Sequence, residues 1–234
     1  MTTTLITGAN KGLGYETARQ LIAAGHTVYI GARDADKAKQ AAAELGGLPL
    51  LIDITDDASV QAAADEVGNA GRGLDVLVNN AGIAGGRIPP ADFTGAGFAA
   101  LLDTNTVGVV RMMHAFLPLL QRSEHPVVVN VGSGLGSMGR VTDPARMESG
   151  YPTLGYSATK AAVSMLTVQY AKVFPRLRIN VVDPGYTATD LNGFQGAQSI
   201  EQGVVAIVRA ARIAELGAAA PTGTFFDADG PVPW

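Results

Sequence analysis

Apolar residues recur along the chain in two rhythms. Short β-branched or leucine-rich runs predict strands at residues 3–7, 27–32, 49–53, 75–79, 126–131, 178–182 and 222–226. Runs such as Pro126-Val-Val-Val-Asn-Val131 are nearly continuous rather than alternating, as suits strands covered on both faces. Between them, longer alanine-rich segments with helical period predict helices near 13–24, 36–45, 58–70, 98–120, 156–173 and 201–216. Asp34 ahead of Ala-Asp-Lys-Ala, and Thr55 or Asp56 ahead of Ala-Ser-Val, are N-cap signals. The βαβα alternation predicts an α/β fold, a doubly wound parallel β-sheet with right-handed crossovers. With no repeat, low-complexity tract or linker, residues 1–234 read as a single domain.

Composition narrows the functional class. Hydrophobic residues make up 47% of the 234-residue chain and charged residues 16%, enough apolar surface for a sizeable core and the reverse of a disordered chain. A net charge of −4 lacks the basic footprint of a nucleic-acid or anionic-membrane partner. The absence of cysteine removes disulfides, thiolate metal sites and cysteine nucleophiles together, and fits a reducing compartment. His26, His114 and His125 stand apart from one another and make no metal constellation. The first residues lack the charged-then-apolar build of a signal peptide, and no apolar run approaches the ~20 residues of a membrane helix. These features predict a soluble, cytoplasmic protein.

The chemistry begins where the first strand runs into Thr7-Gly8-Ala9-Asn10-Lys11-Gly12-Leu13-Gly14 and then a helix. Glycines at such a junction permit a tight turn and close backbone approach to a pyrophosphate, and the helix start offers unpaired N–H groups. A glycine-rich turn can serve packing alone, but at the first strand of a βαβ unit it points to a dinucleotide. The spacing Thr-Gly-x-x-x-Gly-x-Gly resembles that of the short-chain dehydrogenase/reductase family. Further matches follow in that family's order: Asn79-Asn80-Ala81-Gly82, Asn105, Ser133, Tyr156-Ser-Ala-Thr-Lys160, and Asn180-Val-Val-Asp-Pro184-Gly185. The resemblance covers nearly the whole chain and implies a Rossmann-like fold. Gly-Ala-Asn-Lys-Gly-Leu-Gly together with Ala-Arg-Asp looks most like the carbonyl-reductase branch.

At the end of the second strand, NAD enzymes usually carry a carboxylate for the ribose 2′-hydroxyl. This chain has Gly31-Ala32-Arg33 there, and Lys11 adds a second cation in the glycine loop. Electrostatics and resemblance together favour NADP(H), although both cations could be ordinary solvated charges. The resemblance further implies that Asp53 and Ile54 border the adenine, that Asn80 with Ala81 and Gly82 lies under the ribose, and that Thr187, after Pro184 and Gly185, meets the nicotinamide carboxamide. Asn79 is more in keeping with tying strands together.

Tyr156 and Lys160, four residues apart, project from one face of a helix. A free tyrosine has a pKa of about 10, and a neighbouring ammonium lowers it. Tyr156 is then suited to protonate a carbonyl oxygen, or to deprotonate an alcohol in the reverse direction. The resemblance assigns Ser133 to the substrate oxygen, Lys160 also to the ribose, and Asn105 to a water that extends the proton relay. The expected activity is hydride transfer between NADP(H) and a carbonyl or secondary alcohol. A non-catalytic NADP-binding sensor of the same fold is the alternative.

Other readings fare worse. A hydrolase elbow needs G-x-S-x-G; here Val131 stands where the first glycine belongs, and all three histidines precede Ser133. An epimerase of the longer relatives needs a substrate lobe for which the residues after Pro184 leave little room. The interval 134–155 is longer than in compact family members, and its charges and prolines predict an exposed loop bordering the substrate. Because this insertion is intermediate in length, the chain could be a homo-oligomer or a monomer. Leu191, Phe194, Tyr186, Met138 and Trp234 are the candidates for an apolar, open substrate pocket.

Overall fold

The computed structural model describes residues 2–86 and 88–234. Seven parallel strands form one sheet in the order β3-β2-β1-β4-β5-β6-β7. They are β1 Thr3–Thr7, β2 Thr27–Ala32, β3 Leu48–Leu51, β4 Val76–Asn79, β5 Val127–Val131, β6 Arg178–Val182 and β7 Phe225–Phe226. Neighbouring residues of one strand serve opposite cores. Leu5, Tyr29, Leu77, Val128 and Ile179 pack on one face with residues of α3 (Asp57–Asn69), α5 (Gly108–Leu120) and α7 (Leu154–Val173). Ile6, Val28, Ile30, Val78 and Val129 pack on the other with α1 (Gly12–Ala23), α2 (Ala35–Leu45) and α9 (Val205–Ala211). Burial on both faces is why the strands read as apolar runs.

Helices α2 and α3 start where their caps predict: the Asp34 carboxylate accepts from Asp36 and Lys37 N–H, and that of Asp56 from Ala58 N–H. The expected helix 98–120 is instead α4 (Gly95–Leu102), a π-helical turn at Asp103–Val107, and α5. Such turns inside helices often occur at functional sites, and this one carries the buried Asn105. The expected helix 201–216 is likewise divided, into α8 (Ile200–Gly203), α9 and a 3₁₀ segment, Ile213–Ala219. The two edge strands are shifted or shorter than expected, although Gly223 and Thr224 still exchange backbone hydrogen bonds with β6 beyond β7 proper.

The interval 134–155 corrects a larger expectation. Its first part is a 3₁₀ turn, Gly134–Gly136, followed by the short α6, Met138–Val141. Both are pinned to the chain's last residues: Ser137 Oγ donates to Pro233 O at 2.5 Å, and Gly139 N to Trp234 O at 2.9 Å. Arg140, expected in solvent, is buried. Residues 142–147, and then Ser149, Gly150, Pro152 and Leu154, are solvent-exposed.

Candidate active site

The sheet order reverses between β1 and β4, and open α/β sheets bind ligands at such a switch point, outside the carboxyl ends of the strands. A cleft of about 480 Å³ opens there. It gathers Gly8, Asn10, Lys11, Gly12, Leu13 and Gly14 from the first turn, Arg33 after β2, Asp53 and Ile54 after β3, and Asn80, Ala81 and Gly82 after β4. Tyr156, Lys160 and Pro184 close its far end. The turn is built for close approach: a Cβ on Gly14 would lie 2.5 Å from Gly8 O and 2.6 Å from Asn80 Nδ2. Asn80 in turn donates to Thr7 O at 2.8 Å, and Thr7 Oγ1 accepts from the N–H groups of Asn80 and Ala81. No side chain caps α1, so its first N–H groups lie along the cleft as an anion site.

At the adenosine end, Ala32 is buried and Arg33 exposed. Asp53 does not reach out freely: Oδ1 accepts from both the N–H (2.9 Å) and the hydroxyl (2.7 Å) of Thr55. These bonds, helped by the charge of Arg33, hold its carboxyl below the usual range. Lys11 forms an ion pair with Asp190, which lies on the opposite lip. Cleft, uncapped helix start, close-approach glycine and two basic side chains fit a dinucleotide that carries an additional phosphate.

At the other end, α7 presents Tyr156 and Lys160 together, with the Lys160 ammonium 5.7 Å from the tyrosine ring centroid. Lys160 is buried and donates to Val131 O at 2.7 Å. Burial lowers its pKa to about 8, against the opposing pull of the Asp183 carboxylate. The expected lowering of Tyr156 is not met in the protein alone. Burial and then the charge of Asp183 push the phenol up to about 12, opposed by a hydrogen bond with Ser133. In the protein alone Tyr156 therefore keeps its phenolic proton across the physiological range.

The remaining expected residues are placed as follows. Asn105 is engaged with the segment after β4: Oδ1 accepts from Ile83 N, and Nδ2 donates to Ile83 O, both at 2.8 Å. It also donates to Thr159 Oγ1, a contact within the Y-x-x-x-K motif that spacing alone did not single out. Asn79 ties β4 to β5 by donating to Asn130 at 2.8 Å. Thr187 is buried and donates to Pro184 O at 2.9 Å; from the same loop, Thr189, Asp190 and Leu191 line the cleft instead. Gly185 and Tyr186 border a second cavity beside Ser133. Phe194, Met138 and Trp234, expected in the substrate pocket, are exposed and line none of the cavities around the site.

The sequence reading also missed a buried ion cluster behind Ser133. Arg140 Nη1 lies 2.7 Å from Asp183 Oδ2 and 3.4 Å from Glu148 Oε1, while Nη2 pairs with Asp227. Asp183 Oδ1 accepts further from Gly185 N–H at 2.9 Å, and a Cβ on Gly134 would lie 2.8 Å from its Oδ2. The residue after Ser133 and the turn after β6 thus both abut one carboxylate. Asp183, directly before Pro184-Gly185, and Glu148, eight residues after Arg140, are the local signals of the cluster.

The family model for short chain dehydrogenase matches residues 2–199. The chain is 38% identical to the short-chain dehydrogenase anuI of Penicillium roqueforti over 220 residues, which cover 88% of this chain and 87% of that one. It is 30% identical to a (+)-neomenthol dehydrogenase of Arabidopsis thaliana, over 95% and 94% of the two chains. Among solved structures, NADPH-bound carbonyl reductase from chicken fatty liver superposes with a TM-score of 0.87 at 25% identity, covering 100% and 99% of the two chains.

Proposed function

Since the chain belongs to the short-chain dehydrogenase/reductase family of oxidoreductases, we propose that it is an NADP(H)-dependent reductase of ketones or aldehydes, with Tyr156 as the general acid. The observation that carries the reading is that Tyr156 and Lys160 lie together where the glycine-loop cleft ends, with Ser133 lining the adjoining cavity. The bound nicotinamide supplies the hydride. Ser133 and Tyr156 hold the carbonyl oxygen by two hydroxyls, and these bonds strengthen as negative charge develops on that oxygen. Tyr156, resting as a neutral phenol, delivers its proton to it. The adjacent Lys160 ammonium stabilises the phenolate left behind and binds the ribose. Arg33 and Lys11 hold the 2′-phosphate where NAD enzymes place a carboxylate. The NADPH in the chicken carbonyl reductase supports the same cofactor.

The test is a panel of ketones and aldehydes with NADPH or NADH, following the absorbance of the reduced nicotinamide. NADPH should give much the higher kcat/KM. Tyr156→Phe should bind NADPH normally yet lose several orders of magnitude in turnover. Ordinary turnover by that variant would refute the assignment. NADPH binding without reduction of any carbonyl would favour the sensor reading instead.

A further inference from the structure

Two cavities flank the hydroxyls of Ser133 and Tyr156, and their linings are opposite in character. One, of about 410 Å³, lies between the segment after β4 and the start of α7. Its wall includes Ile88, Pro89, Phe93, Leu101, Leu154 and Tyr156, and none of its described lining residues is charged. The other, of about 240 Å³, opens beside Ser133. It is lined by two guanidinium groups, Arg140 and Arg146, against the four carboxylates of Glu148, Asp183, Asp227 and Asp229. Tyr151 borders both cavities, its ring centroid 5.9 Å from that of Tyr186.

Ser133 lines the smaller cavity and Tyr156 the larger, so a carbonyl oxygen held by both hydroxyls has one substituent of its carbon directed to each chamber. The larger chamber gains most from apolar area. In the smaller one, Arg140 is already paired with three carboxylates and Arg146 with Glu148. An anionic substituent there meets an excess of like charge with both guanidinium groups already engaged, an arrangement that discriminates by repulsion.

Building on the reductase reading above, we propose that the substrate is an unsymmetrical carbonyl compound. Its bulky uncharged arm, aryl or branched alkyl, occupies the larger chamber. Its compact arm, neutral or cationic and never a carboxylate or phosphate, occupies the smaller. Two measurements test this. First, binding of three product-like alcohols to the free protein is followed by saturation-transfer NMR: 1-phenylethanol, 2-amino-1-phenylethanol and mandelate share the aryl arm and differ in the compact one. Mandelate should bind at least about tenfold more weakly than the other two. Second, Leu154→Trp fills the larger chamber from a position already 49% exposed. It should raise the KM for acetophenone about tenfold, leaving the KM for propanal and the affinity for NADPH unchanged. Mandelate binding as tightly as the amino alcohol, or an unchanged acetophenone-to-propanal KM ratio, would overturn the proposal. If the alcohols bind in the expected order while no carbonyl is reduced, the reductase reading fails and the chamber assignment stands.

Discussion

Replacing Arg140 with methionine keeps most of the side chain's length and removes its charge from the middle of three carboxylates. Asp183 is the partner most affected, because it is only 5% exposed and its shortest ion pair is the 2.7 Å contact with Arg140 Nη1. Removing one member of a buried pair costs about 3–5 kcal/mol, since the other is left charged and desolvated. Against a total stability of about 5–15 kcal/mol, that is a large fraction; for a chain of this size it lowers Tm by about 10 °C. The deficit should depend on pH in a definite direction. Burial already raises the pKa of Asp183, with the N–H groups of Gly185 and Gly134 and then Arg140 opposing it. Without Arg140 it rises further. A carboxyl whose folded pKa lies above its unfolded value contributes stability that is fully present below the unfolded pKa and is lost as pH rises through the folded one. The variant should therefore lie furthest below wild type at pH 8 and recover part of the difference at pH 5.5. Adding Asp183→Asn removes the stranded charge and should restore stability, a coupling that a double-mutant cycle measures. Urea unfolding of the four proteins at both pH values is the assay. An Arg140→Met protein within about 1 kcal/mol of wild type at pH 8 would refute the reasoning, and so would a deficit that grows on acidification. Gly134 adds a reason to expect an effect on turnover. A Cβ there would lie 2.7 Å from Glu148 Oε1 and 2.8 Å from Asp183 Oδ2, so the cluster bears directly on the backbone next to Ser133. The variant's kcat should fall with NADPH affinity unchanged.

Lys160→Met removes a buried ammonium and should raise Tm while abolishing turnover. Because burial depresses the folded pKa to about 8, wild type loses stability as pH falls from its unfolded value of about 10.5 through 8. The variant's advantage should accordingly be full below pH 8 and fade toward 10.5 in thermal melts; an advantage independent of pH would contradict this. Ala32→Asp combined with Arg33→Leu should reverse the NADPH-to-NADH ratio of kcat/KM by placing a carboxylate where the 2′-phosphate would sit, and a ratio that stays put would rule out this end of the cleft as the reader. Asp190→Asn frees Lys11 from an exposed ion pair worth about 0.2–1 kcal/mol, so NADPH should bind up to about fivefold more tightly in fluorescence titrations at low salt. NADH affinity should not move, and an equal gain for both cofactors would place Lys11 away from the 2′-phosphate.

What could be read from the sequence, and what could not, follows from the range of the interactions involved. β1, β2 and β6 lie where their apolar runs predict because each is paired on both sides and buried on both faces, so register and boundary are set by the same residues. β3 and β7, at the sheet edges, pair on one side only, and there the apolar pattern overstates or shifts the strand. The residues of the cleft were legible because their spacing is local: a strand, a glycine turn and a helix start must lie within a few residues of one another to cradle a phosphate. The break between α4 and α5 was not, since hydrophobic periodicity survives a π-helical turn that shifts the register by a single residue.

Arg140 marks the limit of local reasoning. Placed among glycines, prolines and other charges, it has the pattern of a solvated residue, because a lone charge is costly to bury. That cost is met by Asp183, at the end of β6, and by Asp227, after β7, two partners that only the folded sheet brings beside it. Nothing within ten residues of Arg140 except Glu148 announces the cluster. Thr187 and Thr189 repeat the point on a smaller scale: both follow Pro184 closely, and which of them lines the cleft depends on where Thr187 finds its acceptor, the carbonyl of Pro184 itself. Sequence spacing therefore locates the groups that a bound phosphate or a proton transfer requires next to each other. The charges that decide which substituents a substrate can carry come from segments the fold joins, and their sign becomes legible only once the sheet is assembled.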